Sequence, residues 1–208
     1  MKVDFVPPVV ILAAGDYPMH SEPRRLLEEA ATVVCLDSAA DAYCNTSGRL
    51  PELVVGDGDS ISPTLRHRLA ERFVSISEQD TNDLCKAVRY LHEQGVGEAI
   101  ILGATGKRED HTIGNIFHLA DLSKLMKISM VTDYGVFLPC QGKRILSVRV
   151  GTQISVFNVG AHSFHAEGLR WPLYDFKFLW EGTLNEAVAP TVEIEAQGDY
   201  IVYIAHEA

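Results

Sequence analysis

The chain has 208 residues, of which 47% are hydrophobic, and carries a net charge of -10 at pH 7. This length provides core for one large domain or two small ones, and the negative charge argues against a general nucleic-acid binder. No apolar run approaches the roughly 20 residues of a membrane span, and the first residues lack the apolar stretch of a signal peptide. The four cysteines are scattered, without a Cys-x-x-Cys pair. Together these features predict a cytoplasmic protein with no membrane partner.

Up to residue 134, short apolar runs alternate with segments of helical periodicity. The pattern predicts strands over 9–14, 32–36, 53–55, 73–77, 99–102 and 127–132, and helices over 23–31, 63–72, 81–94 and 110–126. Strands that alternate with helices pair in parallel, with both sheet faces covered. We therefore expect residues 1–134 to form a Rossmann-like α/β domain with a mostly parallel sheet.

After residue 134 the pattern changes to short alternating runs separated by turns. Strands are predicted over 136–138, 144–150, 153–159, 191–196 and 200–204, with no helix of comparable strength. Residues 135–208 are thus expected to form a smaller, all-β, sandwich-like domain.

Two carboxylates directly follow the third predicted strand, in Gly56-Asp57-Gly58-Asp59-Ser60. Ligands of open α/β sheets collect beyond the carboxyl ends of the strands. Two acids one residue apart repel each other unless a cation lies between them, and Mg²⁺ takes few carboxylates and completes its shell with waters and substrate phosphates. The alternative is a solvated turn rich in Asp and Gly.

Further acids follow the other strands: Asp37, Asp80, Asp83 and Asp110. In a parallel sheet they converge on one edge. A single Asp is often only a helix cap, and Asp80 or Thr81 could cap the helix that starts near Asn82. Asp83 lies in the first helical turn, where it favours the helix dipole or serves as a further metal ligand.

A basic segment, Gly103-Ala104-Thr105-Gly106-Lys107-Arg108-Glu109-Asp110-His111, follows the fifth strand and opens a helix. This arrangement presents backbone N–H groups to phosphate, and Lys107 and Arg108 add positive charge. It is not a Walker A loop, whose glycines are separated by four residues. The alternative is an ordinary strand-to-helix loop.

These motifs resemble, in order and spacing, those of thiamine pyrophosphokinases. The similar segments are residues 56–60, 79–87, 106–111 with Asn115, and 37–41. The family usually has its second Asp directly after Thr, whereas here Asn82 follows Thr81 and Asp83 comes next, so either Asp80 or Asp83 could face the metal. Lys107 replaces a family glycine, and Ser38 and Ala39 replace two others.

The resemblance extends through the second domain. Gly168-Leu169-Arg170-Trp171-Pro172-Leu173 is similar to the family's Gly-Leu-Lys-Tyr/Trp-x-Leu stretch, and Gly182-Thr183-Leu184-Asn185-Glu186 to a Ser-Asn-Glu turn with Leu184 in the serine position. An indole at position 171 can stack on the thiamine pyrimidine or fill the core of the domain; both readings stay open.

The resemblance implies transfer of a diphosphoryl group from ATP to thiamine, with release of AMP. It implies Mg²⁺ held by Asp57, Asp59 and Asp80 or Asp83, and catalytic roles for Asp57, Asp59, Asp83 and Arg108. It assigns substrate binding to Asp37, Asp80, Thr81, Lys86, Gly106, Lys107, Asp110, His111, Asn115, Trp171 and Asn185. A homodimer is expected, with thiamine held between the α/β domain of one subunit and the β domain of the other. Two alternatives are a diphosphokinase for another alcohol and a catalytically weakened thiamine- or nucleotide-binding protein.

Overall fold

The computed structural model describes residues 3–78 and 80–206; Gln79, the first residue of the 79–87 motif, lies outside the described residues. The chain divides into two compact units, one ending at Asp133 and the next beginning at Tyr134. The first unit is a layered α/β structure and the second is built from strands. The α/β class with a β-rich C-terminal part is therefore confirmed. None of the described helices is long and apolar enough to cross a bilayer.

The N-terminal unit contains six strands and five α-helices among its described residues. The strands are β1 (Val9–Leu12), β2 (Thr32–Leu36), β3 (Leu53–Gly56), β4 (Phe73–Ser75), β5 (Glu98–Leu102) and β6 (Lys127–Val131). The helices are α1 (Ser21–Glu29), α2 (Ala39–Ser47), α3 (Pro63–Arg68), α4 (Asp83–Glu93) and α5 (Glu109–Leu122), with a 3₁₀ turn at Ala70–Arg72.

The six strands lie in the order β6-β5-β1-β2-β3-β4, and every pairing is parallel. β1, β2 and β3 are buried along their whole length because helices cover both faces of a parallel sheet. The chain winds outward from β1 to β4 and then returns to place β5 on the other side of β1. A crevice forms where the winding direction reverses, beyond the carboxyl ends of β1 and β5.

The predictions for two helices of this unit, α2 and α4, need correction. α2 was not predicted, although Ala39, Ala40 and Tyr43 share one buried face. α4 begins at Asp83, and its N-cap is Asn82, whose side chain accepts a hydrogen bond from the Cys85 amide at 3.0 Å. The prediction that Asp80 or Thr81 caps this helix is therefore wrong, because the Asn82 amide side chain fills that role.

The C-terminal unit is antiparallel and contains β7 (Gly135–Ser147), β8 (Gln153–Asn158), β9 (His162–Glu167), β10 (Asn185–Glu186) and β11 (Thr191–Ala205). β11 pairs with β7 along nearly its whole length, and a bulge interrupts the register between Ala196 and Asp199. Beyond the bulge β11 pairs with β8, and before it with β9. β11 thus pairs with β9 in its first part and with β8 in its last part, in addition to β7.

The core of this unit is apolar and includes Ile154, Val156, Phe164, Val202 and Tyr200. The buried Tyr200 hydroxyl donates to the Gly142 carbonyl at 2.8 Å, so its polar end is satisfied. The sequence predicted two strands in place of β7 and two in place of β11, and it predicted neither β9 nor β10. Backbone pairing continues through the glycine-containing segments that we read as turns.

Candidate active site

A cavity of about 470 Å³ opens beyond the carboxyl ends of the parallel strands of the N-terminal unit. Four segments line it: residues 13–15 after β1, Asp57 after β3, residues 81–86 around the start of α4, and the loop after β5 with the start of α5. Of the predicted site residues, the cavity brings together Asp57, Thr81, Asp83, Lys86, Gly106, Lys107, Arg108, His111 and Asn115. The lining of this cavity therefore contains both acidic and basic side chains.

Three carboxylates stand close to one another at this edge of the sheet. Asp57 and Asp83 line the cavity, and Asp37 is buried beside them. One oxygen of Asp37 accepts a hydrogen bond from the Ser60 amide at 3.1 Å, and the other, Oδ1, has no partner among the described residues. Burial raises the pKa of Asp37, and the negative charges of Asp57 and Asp83 raise it further. The three carboxylates therefore destabilise one another's charged forms, and most directly that of the buried Asp37.

Lys86 lies three residues after Asp83 in α4 and forms an ion pair with it. It is 5% exposed, and its Nζ lies 3.2 Å from Asp83 Oδ1. A buried ammonium requires a close counter-charge, since desolvation penalises an isolated ion. The i,i+3 spacing on α4 puts both groups on one helix face at the cavity wall.

The start of α4 is tied to α5 by two asparagines. Asn82 Nδ2 donates to Asn115 Oδ1 at 2.9 Å, and Asn115 Nδ2 donates to the Ala104 carbonyl at 2.8 Å. The same Asn82 side chain caps α4. Asn115 thus fixes the cavity's wall, and Asn82 is a site residue that we missed; an asparagine directly before an amphipathic helix was the available indication.

The loop after β5 crosses over the loop after β1. Lys107 Nζ donates to the Ala14 carbonyl at 2.7 Å, and Lys107 itself has a positive φ of 55°. Gly106 is required, because a Cβ there would stand 2.0 Å from Asp16 Oδ2. The exposed Arg108 is held by Asp110 through two hydrogen bonds of 3.1 and 2.5 Å, so its guanidinium sits at the rim of the cavity.

Besides Asp37, three predicted residues of the N-terminal unit lie outside the cavity lining. Asp59 is exposed, and its amide donates to Asp57 Oδ1 at 3.1 Å. Asp80 is exposed and lines a separate groove with Glu78, whose carboxylate accepts the amides of Asp80 and Thr81. Asp110 is also exposed; it accepts from the Arg108 guanidinium and from the His111 amide at 2.9 Å, and both of those residues line the cavity.

The donor set fits Mg²⁺ through two carboxylates. Within residues 3–78 and 80–206 no group of three or more His, Cys, Asp or Glu side chains is close enough to hold a metal by itself. Mg²⁺ needs no such group, since it is usually bound through one or two carboxylates together with waters and substrate phosphates. Asp57 and Asp83, which both line the cavity, are the pair available for such binding.

In the C-terminal unit, the side chain of Asn185 is hydrogen-bonded to the backbone of Trp171. The buried Asn185 side chain accepts from the Trp171 amide at 3.1 Å and donates to the Trp171 carbonyl at 2.8 Å. Trp171 is 53% exposed, with the Arg170 guanidinium 5.8 Å from its ring. The alternative that Trp171 fills the core is therefore wrong. The indole borders a cavity of about 240 Å³ that Leu184, 73% exposed, also lines.

Comparison with protein families agrees with this arrangement. Residues 23–131 match the family model described as "Thiamin pyrophosphokinase, catalytic domain". Residues 135–203 match the model described as "Thiamin pyrophosphokinase, substrate-binding domain". The chain belongs to the thiamin pyrophosphokinase family.

Individual relatives agree with the family assignment. "Thiamine pyrophosphokinase 1" of rice is 29% identical over 170 residues, which cover 73% of this chain and 64% of the rice protein, so less than two thirds of that relative is spanned. "Thiamine pyrophosphokinase 2" of rice is 27% identical over 211 residues, covering 85% of this chain and 79% of that protein.

Solved structures of thiamin pyrophosphokinases share the fold. The Bacillus subtilis structure superposes with a TM-score of 0.79 at 21% identity and covers 96% of this chain and 99% of its own. The Candida albicans structure gives a TM-score of 0.78 at 15% identity, covering 95% of this chain and 89% of its own. At these identities the likeness concerns the fold alone.

Proposed function

We propose that the chain transfers a diphosphoryl group from ATP to the hydroxyethyl oxygen of thiamine, giving thiamine diphosphate and AMP. One observation carries the proposal: two acids and three cations of the catalytic-domain segment, Asp57, Asp83, Lys86, Lys107 and Arg108, line one cavity at the carboxyl edge of the sheet. Family membership selects thiamine over other alcohols as the acceptor.

In this proposal the N-terminal unit acts as a Rossmann-like nucleotide- and Mg²⁺-binding domain. Asp57 and Asp83 hold the ion, and Asp59 and Asp80 lie outside the direct metal shell. An ion held by these two carboxylates would supply positive charge against the charge that develops on the transferred phosphates. Asp37 keeps the 56–60 loop in place by accepting the Ser60 amide.

The cations bind the phosphate chain from two sides. Lys86 lies on the α4 wall, and Lys107 and Arg108 lie on the loop after β5. Positive groups placed in advance at the transferred phosphates contribute most of the catalysis in phosphoryl transfer. In this proposal Arg108 leaves Asp110 and binds a phosphate of ATP instead. A guanidinium binds a carboxylate and a phosphate in the same bidentate geometry. His111 and Asn115 border the phosphates and orient them.

For thiamine, we propose that the sandwich-like C-terminal unit offers the exposed face of Trp171. An indole face attracts the cationic thiazolium and stacks on the pyrimidine ring, and the cation–π part contributes roughly 0.5–2 kcal/mol. Asn185 holds the Trp171 backbone from both sides. Its role is to position the indole.

We further propose a homodimer and a cytoplasmic location. The family resemblance supports the dimer, and the free thiols of Cys35, Cys44, Cys85 and Cys140 suit a reducing compartment.

A coupled assay of AMP release tests the reaction. The purified chain with ATP and Mg²⁺ should release AMP in proportion to added thiamine, with thiamine diphosphate formed in equal amount. Other primary alcohols at the same concentration serve as controls. AMP release with another alcohol but not with thiamine would overturn the acceptor assignment, and no release with any of them would overturn the activity.

A further inference from the structure

A second cavity, of about 280 Å³, lies between α1 and the C-terminal half of α2. Its wall includes Arg24 and Leu27 of α1, Tyr43 of α2, Tyr17 of the loop after β1, and Arg49 just beyond α2. None of these residues lines the candidate active site, whose lining from the loop after β1 stops at Gly15.

The charge on this wall is unbalanced in favour of cations. Arg24 and Arg49 face one carboxylate, Glu28. Glu28 Oε1 lies 3.7 Å from Arg24 Nη2, beyond hydrogen-bond distance, and both side chains are largely exposed. In the part of the chain that the structure describes, Arg49 has no ion-pair partner. Two guanidinium groups on one concave wall are unexpected in a chain of net charge -10.

Tyr43 contributes a buried hydroxyl group without a hydrogen-bond partner among the described residues to this wall. The side chain is 1% exposed, and its hydroxyl forms no hydrogen bond within the described residues. Buried hydroxyl groups are normally paired, so an unpaired one in a cavity wall keeps its capacity to donate to a bound ligand. Burial raises the pKa of Tyr43, and the positive charge of Arg49 and the Ser47 side chain act against that rise.

The opposing carboxylate near Tyr43 is already engaged. Glu52, which also raises the pKa of Tyr43, accepts the Val33 amide at 2.8 Å through Oε2. Its charge is therefore directed in part toward the backbone of β2. The hydroxyl of Tyr43 is closed off from bulk water, so a side chain of the cavity wall must move for a ligand to reach it.

We propose that this second cavity binds a small phosphate-bearing anion between Arg24 and Arg49, with the Tyr43 hydroxyl donating to it. Arginine matches phosphate oxygens with its planar fork of donors, and the apolar side chain of Leu27 leaves room for a short carbon body. The loop of residues 13–17 borders both cavities, through Gly15 on one side and Tyr17 on the other. The anion therefore binds next to a wall of the candidate active site.

Amide chemical shifts followed during a titration with inorganic phosphate test the proposal. The full chain labelled with ¹⁵N gives separate signals for the second cavity, at Tyr17, Thr46 and Arg49, and for the candidate active site, at Gly106 and Arg108. Because each cavity has its own signals, phosphate bound at the active site is not mistaken for phosphate bound here. We expect saturable shifts at Tyr17, Thr46 and Arg49.

Three variants make the test specific. Arg24→Gln and Arg49→Gln should each weaken the affinity read from Tyr17 and Thr46 at least tenfold, because each removes a charge-assisted hydrogen bond to the anion. The matched control is Arg25→Gln, which removes a neighbouring arginine that pairs with Glu22 and Glu29 outside the cavity. It should leave the Kd unchanged.

The outcomes separate clearly. Loss of affinity in Arg24→Gln and Arg49→Gln, with wild-type affinity in Arg25→Gln, supports the site. Absence of saturable shifts at the second cavity, or equal effects of all three variants, overturns it. A protein with no diphosphotransferase activity but with this binding pattern would leave the second cavity established, so the two proposals fail independently.

Discussion

At the scale of single residues, Asp83 and Lys86 determine the character of the site. The Lys86 ammonium is almost fully buried and has Asp83 within 3.2 Å, while Asp83 remains 36% exposed toward the cavity. Removal of one partner from such a pair leaves an uncompensated buried charge. Asp83 balances Lys86, and in the proposed function it also offers an oxygen to the metal, whereas Asp80 is exposed and outside the cavity lining.

The first prediction separates these two acids. Asp83→Asn should lower kcat at least a hundredfold with saturating ATP, thiamine and Mg²⁺, corresponding to roughly 3 kcal/mol of transition-state stabilisation. Asp80→Asn is the matched control and should stay within about twofold of wild type, because Asp80 is exposed and outside the cavity lining. The AMP-release assay measures both. A large loss in Asp80→Asn with normal turnover in Asp83→Asn would place Asp80 in the metal shell instead.

The second prediction concerns Trp171. Trp171→Ala should raise the KM for thiamine at least tenfold and barely change the KM for ATP, since the proposed phosphate contacts lie on the N-terminal unit. Trp180→Phe is the control: Trp180 is 70% exposed and stacks on Phe178, with ring centroids 6.3 Å apart. Thiamine should also quench the fluorescence of Trp180→Phe, which retains Trp171. An unchanged thiamine KM in a folded Trp171→Ala protein would contradict the stacking role.

At the scale of elements, the start of α4 is the joint of the N-terminal site. Asn82 caps the helix and binds Asn115 on α5, and Asn115 binds the loop after β5. Two asparagine side chains in series therefore couple the helix that carries Asp83 and Lys86 to the loop that leads to Lys107. Disturbing it changes the relative position of the acids and the cations.

We predict that Asn82→Ala lowers the free energy of unfolding by about 1 kcal/mol through loss of the cap. It should also raise the KM for ATP, because the Asn115 contact is lost with the cap. The control is Asn45→Ala at an exposed position inside α2. Urea denaturation and steady-state kinetics measure the two effects. Equal stability of Asn82→Ala and Asn45→Ala would argue against the hydrogen-bond joint.

The same scale shows what the sequence could and could not reveal. Buried parallel strands are continuous apolar runs, and α4 is strongly amphipathic, so periodicity found them. α2 was not predicted because its buried face is formed mostly by alanines and its N-cap Ser38 makes no side-chain hydrogen bond. β9, with His162 and His165 exposed, has a polar outer face and a single buried residue, Phe164.

Site residues followed the same logic. The acids after β3 could be predicted, because a carboxyl strand end is fixed by the apolar run before it. Which of Asp80 and Asp83 lines the cavity could not be predicted, since it depends on which residue caps α4. Asn82 takes the cap and also contacts Asn115, 33 positions further along the chain. Contacts across such distances leave no local pattern in the sequence.

At the scale of the whole molecule, the proposed homodimer makes a prediction about mixed subunits. Neither Asp57→Asn nor Trp171→Ala alone should be active at low thiamine concentration. If each site takes its acids from one subunit and its indole from the other, mixing the two variants under conditions of subunit exchange should restore part of the activity, because one hybrid site carries neither substitution. Each variant mixed with itself is the control. A mixture no more active than its components would place both groups in one subunit.

The course of β11 has a consequence for how the protein is made on the ribosome. β7, β8 and β9 all pair with β11, yet β11 is translated after them. The sheet of the N-terminal unit is already complete when β6 emerges, so that unit can fold during synthesis, as domains generally do. The C-terminal strands must instead wait with unpaired edges, which are sites of aggregation. Nascent chains stalled before Thr191 should therefore contain a folded N-terminal unit and a C-terminal segment that depends on chaperones.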